Sequence, residues 1–200
     1  MLTQKVEKRG VPSLNNNIVL AKAVGIDNVQ KDYLNILKID GESEVKISFW
    51  LDANNILNKD FIVVSVGASK RRQEKCLRKE VWIETLNKLA DMKKNVVVVY
   101  AQWEQESVMK ILKYVSKDIK TFCPENGLID LSALISKAKL FIGIDSGTMH
   151  LAASLGIKCI ALYGNTDPSQ IGPRPLQNHI IIKKNSAKDI IASDILENIK

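Results

Sequence analysis

Cysteine is scarce in this chain, as are histidine and the aromatic residues. The three cysteines, Cys76, Cys123 and Cys159, are odd in number and lack metal-ligand spacing. Reduced thiols in a cytoplasmic protein are therefore expected. Aromatics make up 6% of the residues, without the basic–aromatic interleaving or recognition-helix pattern of nucleic-acid binders, so no nucleic-acid partner is expected. Long apolar runs are also missing. Phe61 to Val66 and Val96 to Ala101 are of strand length, and nothing reaches the span of a bilayer. The amino-terminal MLTQKVEKRG has no apolar core of a secretory signal, and internal repeats and low-complexity tracts are lacking.

What is present is an ordinary globular composition, 46% hydrophobic and 26% charged over 200 residues. That suits one domain, or one domain with an appendage. The formal net charge of +7 favours an anionic partner such as a nucleotide, a phosphorylated glycolipid or, peripherally, a membrane surface.

Two regions differ in pattern, residues 1–58 and residues 59–200. In the first, Asn15-Asn16-Asn17 offers a cap for a short helix from Ile18 to Val24 that stops at Gly25. Val29 to Leu37 fits a second helix, the alternation of Val45 to Phe49 an edge strand, and Ala53 to Leu57 another helical turn. Lacking a strand–helix rhythm, residues 1–58 are expected to be a linker or the remnant of a preceding domain. From Asp60 the rhythm is regular. Strands are expected at Phe61–Val66, Asn95–Ala101, Ile119–Phe122, Leu140–Ile144, Lys158–Tyr163 and Ile180–Lys183. Between and after them fall helices at Glu80–Met92, Glu104–Val115, Leu128–Ala138, Met149–Leu155 and Ala187–Asn198. Such alternation predicts an α/β fold, a Rossmann-like parallel sheet with helices on both faces, with ligands at the carboxyl ends of the strands.

The stretch from Leu140 to Pro168, LFIGIDSGTMHLAASLGIKCIALYGNTDP, organises the rest. An apolar strand runs into Asp145-Ser146-Gly147 and a helix, with Gly156 just past the helix end and another strand behind it. A strand that turns at once into a helix leaves backbone N–H groups unpaired at the positive end of the helix dipole, a seat for phosphate. An ordinary turn with Ser146 as a plain N-cap fits the local pattern as well.

Taken whole, the stretch resembles glycosyltransferase family 9, the lipopolysaccharide heptosyltransferase family. There a strand ends in Asp-Ser/Thr-Gly, a His follows three residues later, and the next strand ends in Tyr/Phe-Gly-x-Thr-Asp-Pro. This chain supplies Asp145, Ser146, Gly147 and His150, then Tyr163, Gly164, Thr166, Asp167 and Pro168. The likeness runs from about Asp60 to Lys183. It implies the C-terminal, nucleotide-sugar-binding domain of a GT-B glycosyltransferase that transfers from an ADP-sugar such as ADP-heptose, with inversion, to a lipopolysaccharide core acceptor. It further implies that the catalytic base lies in an N-terminal half with no counterpart here. Asp27, Asp32, Asp40 and Asp52 sit in no glycine-rich strand-end context. The chain is thus expected to bind the donor and to transfer little sugar alone, near the cytoplasmic face of the inner membrane. No metal is expected, because no Asp-x-Asp pair ends a strand and relatives offset the leaving charge with helix termini and cations.

The resemblance also assigns residues. Ser69, in Gly67-Ala68-Ser69, and Lys75, in the basic loop that carries Arg71 and Arg72, match donor-phosphate contacts, although Val66 stands where relatives have proline and Cys76-Leu77-Arg78 replaces an aromatic-proline segment. By composition alone that loop reads as a solvated basic one. Glu104 matches a ribose-binding acid, where a carboxylate also suits a helix start on its own account, and Trp103 could cover the base or pack. Asn126 belongs to the loop that meets the base. Ser146, Gly147 and Thr148 would hold the diphosphate, with Asp145 near the sugar or tying down the turn. His150 could donate to a phosphate or serve structurally, and Thr166 lines the cleft. Rival readings are a non-catalytic interaction module and another GT-B-like nucleotide-sugar enzyme, such as a UDP-sugar epimerase.

Overall fold

A computed structural model of the chain describes residues 13–28, 37–67, 71–115 and 119–199. Strands β1 (Phe61–Ser65), β2 (Asn95–Val99), β3 (Lys120–Phe122), β4 (Leu140–Ile144), β5 (Cys159–Tyr163) and β6 (Ile180–Lys183) form one sheet. Its order is β3-β2-β1-β4-β5-β6, with every neighbouring pair parallel. Each of the six strands expected after Asp60 is found. The chain winds outward from β1 through β2 to β3, then returns to place β4 on the other side of β1. The reversal leaves a crevice beyond the carboxyl ends of β1 and β4, where ligands bind in sheets of this kind.

Both faces of the sheet are covered, which is why its inner strands read as near-continuous apolar runs rather than as alternation. Ile62, Val64 and Val66 share one core with Trp82, Leu86 and Leu89 of α3 (Lys79–Asp91), Val108 and Ile111 of α4 (Gln105–Leu112), and Ile195 of α8 (Ala192–Leu196). Phe61 and Val63 point the other way. They meet Leu131 and Leu134 of α5 (Gly127–Ile135) and Met149, Ala152 and Ala153 of α6 (Gly147–Ser154). Full burial of one such Val, Leu or Phe contributes about 1.5–3 kcal/mol.

The amino-terminal region differs most from expectation. Helix α1 (Ser13–Ala23) takes in the three asparagines instead of starting after them, and ends before Gly25, whose φ is +85°. Residues 29–36, most of the second expected helix, lie outside the described residues. Val45 to Phe49 is not a strand; it lies inside α2 (Gly41–Ala53). Asp40 caps that helix by accepting the Ser43 N–H at 2.8 Å, Glu42 and Glu44 favour its dipole, and Ser43, Ile47 and Leu51 form its buried stripe. Val45 and Phe49, which made the sequence look like a strand, are exposed at 56% and 72%. Turns rather than a helix follow at residues 54–58. Ile47, Leu51 and Ile56 join the core under α5 and α6, so this part of residues 1–58 packs against that face of the sheet.

At the other end, the expected helix from Ala187 to Asn198 is broken into a 3₁₀ turn (Ala187–Asp189) and α8. Asp189 accepts the Ser186 N–H and Asp194 the Ile191 N–H, each at 3.0 Å, so each aspartate starts its own turn. Between β5 and β6, α7 (Pro168–Ile171) starts from Asp167, whose carboxylate accepts the Ser169 N–H at 2.8 Å, with Pro168 in the first helical position.

Candidate functional site

The crevice at the reversal of strand order holds a cavity of about 340 Å³. Ser65 and Gly67 close it from the end of β1, and Tyr100, Trp103 and Glu104 from the turn after β2. Pro124, Gly127 and Leu128 bound it from the loop after β3, and Ser146, Gly147 and Thr148 from the start of α6. Four strand ends therefore converge on one space, as parallel winding requires.

Helix α6 begins inside this cavity. Ser146 is its N-cap in an extended conformation, and its hydroxyl accepts the Met149 N–H at 3.4 Å. The amides of Gly147 and Thr148 have no acceptor within the helix. Gly147 is exposed, and a Cβ built on it would meet nothing within 4 Å. The positive end of the helix thus faces open space, not a side-chain plug.

Asp145, at the end of β4, is 5% exposed. Its Oδ2 accepts from Lys75 Nζ at 2.5 Å and from Thr166 Oγ1 at 2.9 Å, and Lys75 also reaches the Asp145 carbonyl at 3.3 Å. The expected phosphate-binding cation and the awkward carboxylate therefore neutralise one another, and Thr166 turns towards Asp145. Burial holds the His150 imidazole below its ordinary pKa, with Lys75 and Arg174 pushing the same way and Asp145 opposing. His150 is thus neutral at neutral pH and could donate one N–H.

On the opposite wall, Glu104 closes the 3₁₀ turn Gln102–Glu104, and its Oε2 accepts the Ala101 N–H at 2.8 Å. Burial raises its pKa, an effect the Ala101 bond partly offsets. Its other oxygen lies so close to Gly67 that a Cβ there would stand 1.9 Å away. Trp103, 45% exposed, and Leu128, 68% exposed, give the cavity two apolar edges. Asn126 is exposed and its side chain caps nothing; its neighbours Gly127 and Leu128 form the wall instead. Ser69 lies outside the described residues. Arg72 is turned outward to Glu74, 2.6 Å away, and Arg71 is exposed. Among the described residues, no group of three His, Cys, Asp or Glu side chains could hold a metal ion.

Sequence reasoning missed the apolar lining by Tyr100 and Leu131, and it missed Asp130. This aspartate is 1% exposed and sits directly behind the loop at Asn126. The signal was available: an Asp four residues after Asn126, at the start of an apolar helix, is placed to catch an unpaired N–H.

The strand order and the switch-point crevice, with the start of α6 open to it, define a doubly wound α/β domain. Residues 3–200 match the sequence profile of glycosyltransferase family 9 (heptosyltransferase), and the chain belongs to that family. It is 46% identical over 52 residues to lipopolysaccharide heptosyltransferase 3 of Escherichia coli, which covers 26% of this chain and 15% of that protein. The glycosyltransferase family 9 structure from Veillonella parvula superposes with a TM-score of 0.79 at 18% identity, over 90% of this chain and 51% of that one. Escherichia coli heptosyltransferase WaaC with ADP gives 0.63 at 23% identity, over 70% and 43%. The chain thus spans about half the length of these solved structures, and its fold is that of half a GT-B enzyme. No helix among the described residues is long and apolar enough to cross a membrane.

Proposed function

We propose that this chain is the donor-binding domain of a heptosyltransferase-like glycosyltransferase and that the cavity takes an ADP-sugar, the diphosphate at the start of α6 and the nucleoside between Glu104 and the loop after β3. The observation that carries this reading is the open mouth of α6, with Gly147 and Thr148 on the same cavity as Glu104. A solved relative carries ADP, which supports the choice of nucleotide.

In this reading, Gly147 and Thr148 donate N–H groups to the diphosphate oxygens, and the Ser146 and Thr148 hydroxyls and the His150 imidazole complete the seat. As the bond from the sugar's anomeric carbon to the diphosphate breaks, negative charge grows on the leaving oxygen; the helix start offsets it, and Lys75, already paired with Asp145, contributes N–H donors rather than net charge. Asp145 keeps Lys75 extended towards that place. Displacement with inversion also needs a base on the acceptor hydroxyl. Glu104 faces the nucleoside and Asp145 is tied to Lys75 and Thr166, so neither is assigned that role. It falls to a domain contributed alongside this one, and the acceptor is an anionic lipopolysaccharide core glycolipid met at the cytoplasmic membrane surface.

Titration calorimetry with ADP and UDP tests the reading. ADP should bind and UDP more weakly, while Gly147→Glu, which sets a carboxylate in the helix mouth, should abolish ADP binding without lowering the melting temperature. If ADP neither binds nor raises that temperature, the reading fails and a non-catalytic module is favoured. Tighter binding of UDP would favour another GT-B-like nucleotide-sugar enzyme.

A further inference from the structure

The loop after β3 forms the cavity wall through Pro124, Gly127 and Leu128, yet it is not held by ordinary means. The Asn126 side chain makes no capping bond to α5, and Gly127 takes a left-handed φ of +53°. What fixes the loop is Asp130, whose Oδ2 accepts the Asn126 N–H at 3.0 Å and Lys46 Nζ at 2.8 Å, and whose Oδ1 accepts the Ser43 hydroxyl at 3.2 Å. Two of those three bonds come from α2, more than eighty residues earlier in the sequence. Lys46 also holds Glu125, in the loop itself, at 2.8 Å. Beside them Trp50 of α2 packs edge-on against Phe122 at the end of β3, with ring centroids 5.1 Å apart.

Stability alone does not call for a carboxylate here. An apolar side chain of similar size would seal the contact between α2 and α5 about as well, without the cost of burying a charge. What it could not do is pin the Asn126 amide and, through Lys46, both sides of the turn.

We propose that Asp130 is a positioning residue for the nucleoside wall of the cleft, and that α2, through Lys46 and Ser43, is the strut that holds it. Asp130 touches no ligand; it sets the conformation in which the backbone of residues 124–128 meets the edge of a purine base. The inference rests on the donor-site reading above and adds that choice of base depends on a helix outside the strand–helix repeat.

The test is calorimetry of the 200-residue chain with ADP and with UDP, which share the ribose and diphosphate and differ in base. In wild type ADP should bind more tightly. Asp130→Asn should weaken ADP about tenfold, the scale of losing charge-assisted hydrogen bonds, and leave UDP within about twofold, so the preference collapses. Should Asp130→Asn fail to fold, Lys46→Met, at a half-exposed position, is read in its place and should give a smaller loss in the same sense. A variant in which both nucleotides weaken together, or neither does, overturns the proposal and leaves Asp130 a structural residue. Wild type that binds ADP and UDP equally overturns it too, while leaving nucleotide binding intact. Wild type that binds neither fails the donor-site reading itself.

Discussion

Lys75 and Asp145 illustrate how single residues shape the site. A lone buried carboxylate beside a diphosphate would repel it, and a lone lysine in this basic loop would sample many rotamers. Joined at 2.5 Å, the two cancel in charge and fix one geometry. Lys75→Met should therefore cost more than binding. It leaves Asp145 buried without its cation, and urea unfolding should show a loss of about 3 kcal/mol. Adding Asp145→Asn should restore most of that stability without restoring ADP affinity. If the double variant is no more stable than the single one, the pair is not the source of the loss. The family resemblance assigned Lys75 and Asp145 to the same site, but nothing in the sequence foretold their bond, because they stand 70 positions apart and meet only through the sheet.

Among the elements, close approach of the end of β1 to the turn after β2 sets the opposite wall. Gly67 leaves room for Glu104, whose carboxylate both caps its own turn and faces the cavity. Gly67→Ala should push that carboxylate aside. The obstruction is the tip of a flexible side chain, so the expected stability loss is about 1 kcal/mol, the worth of a capping bond. ADP affinity should fall by more than that loss in capping implies. Calorimetry and thermal unfolding on one sample distinguish this from a simple packing defect, in which affinity would not change. The four inner strands, β2, β1, β4 and β5, were legible because parallel strands buried on both faces are apolar almost without interruption. Helix α2 was not, because Val45, Ile47 and Phe49 alternate as a strand would, while the stronger signals, the Asp40 cap and the 43/47/51 stripe, span a longer window.

For the molecule as a whole, both histidines of the chain tie stability to pH. His179 Nδ1 accepts the Cys159 N–H at 3.2 Å, so this nitrogen is unprotonated in the fold, and burial lowers the pKa of both rings below 6.5. The unfolded chain therefore binds more protons than the folded one as pH drops through that window, and stability falls with it. Melting temperature should decline between about pH 7 and pH 5, and His150→Gln should flatten the decline; a flat wild-type profile would refute this. Glu104 acts in the opposite sense, because its raised pKa lets the folded state hold a proton that the unfolded chain releases.

The amino-acid sequence by itself determined the rhythm of strands and helices, the strand that breaks into Asp145-Ser146-Gly147, and the glycines at helix ends, since each depends on hydrophobic period or backbone conformation within a few neighbouring residues. Only the tertiary structure decided that Lys75 answers Asp145, that Glu104 nests against Gly67, and that α2 reaches across to Asp130. Those pairings join segments far apart in the chain, and their distances are set by how two helical layers pack on a twisted sheet, a geometry that no local pattern carries.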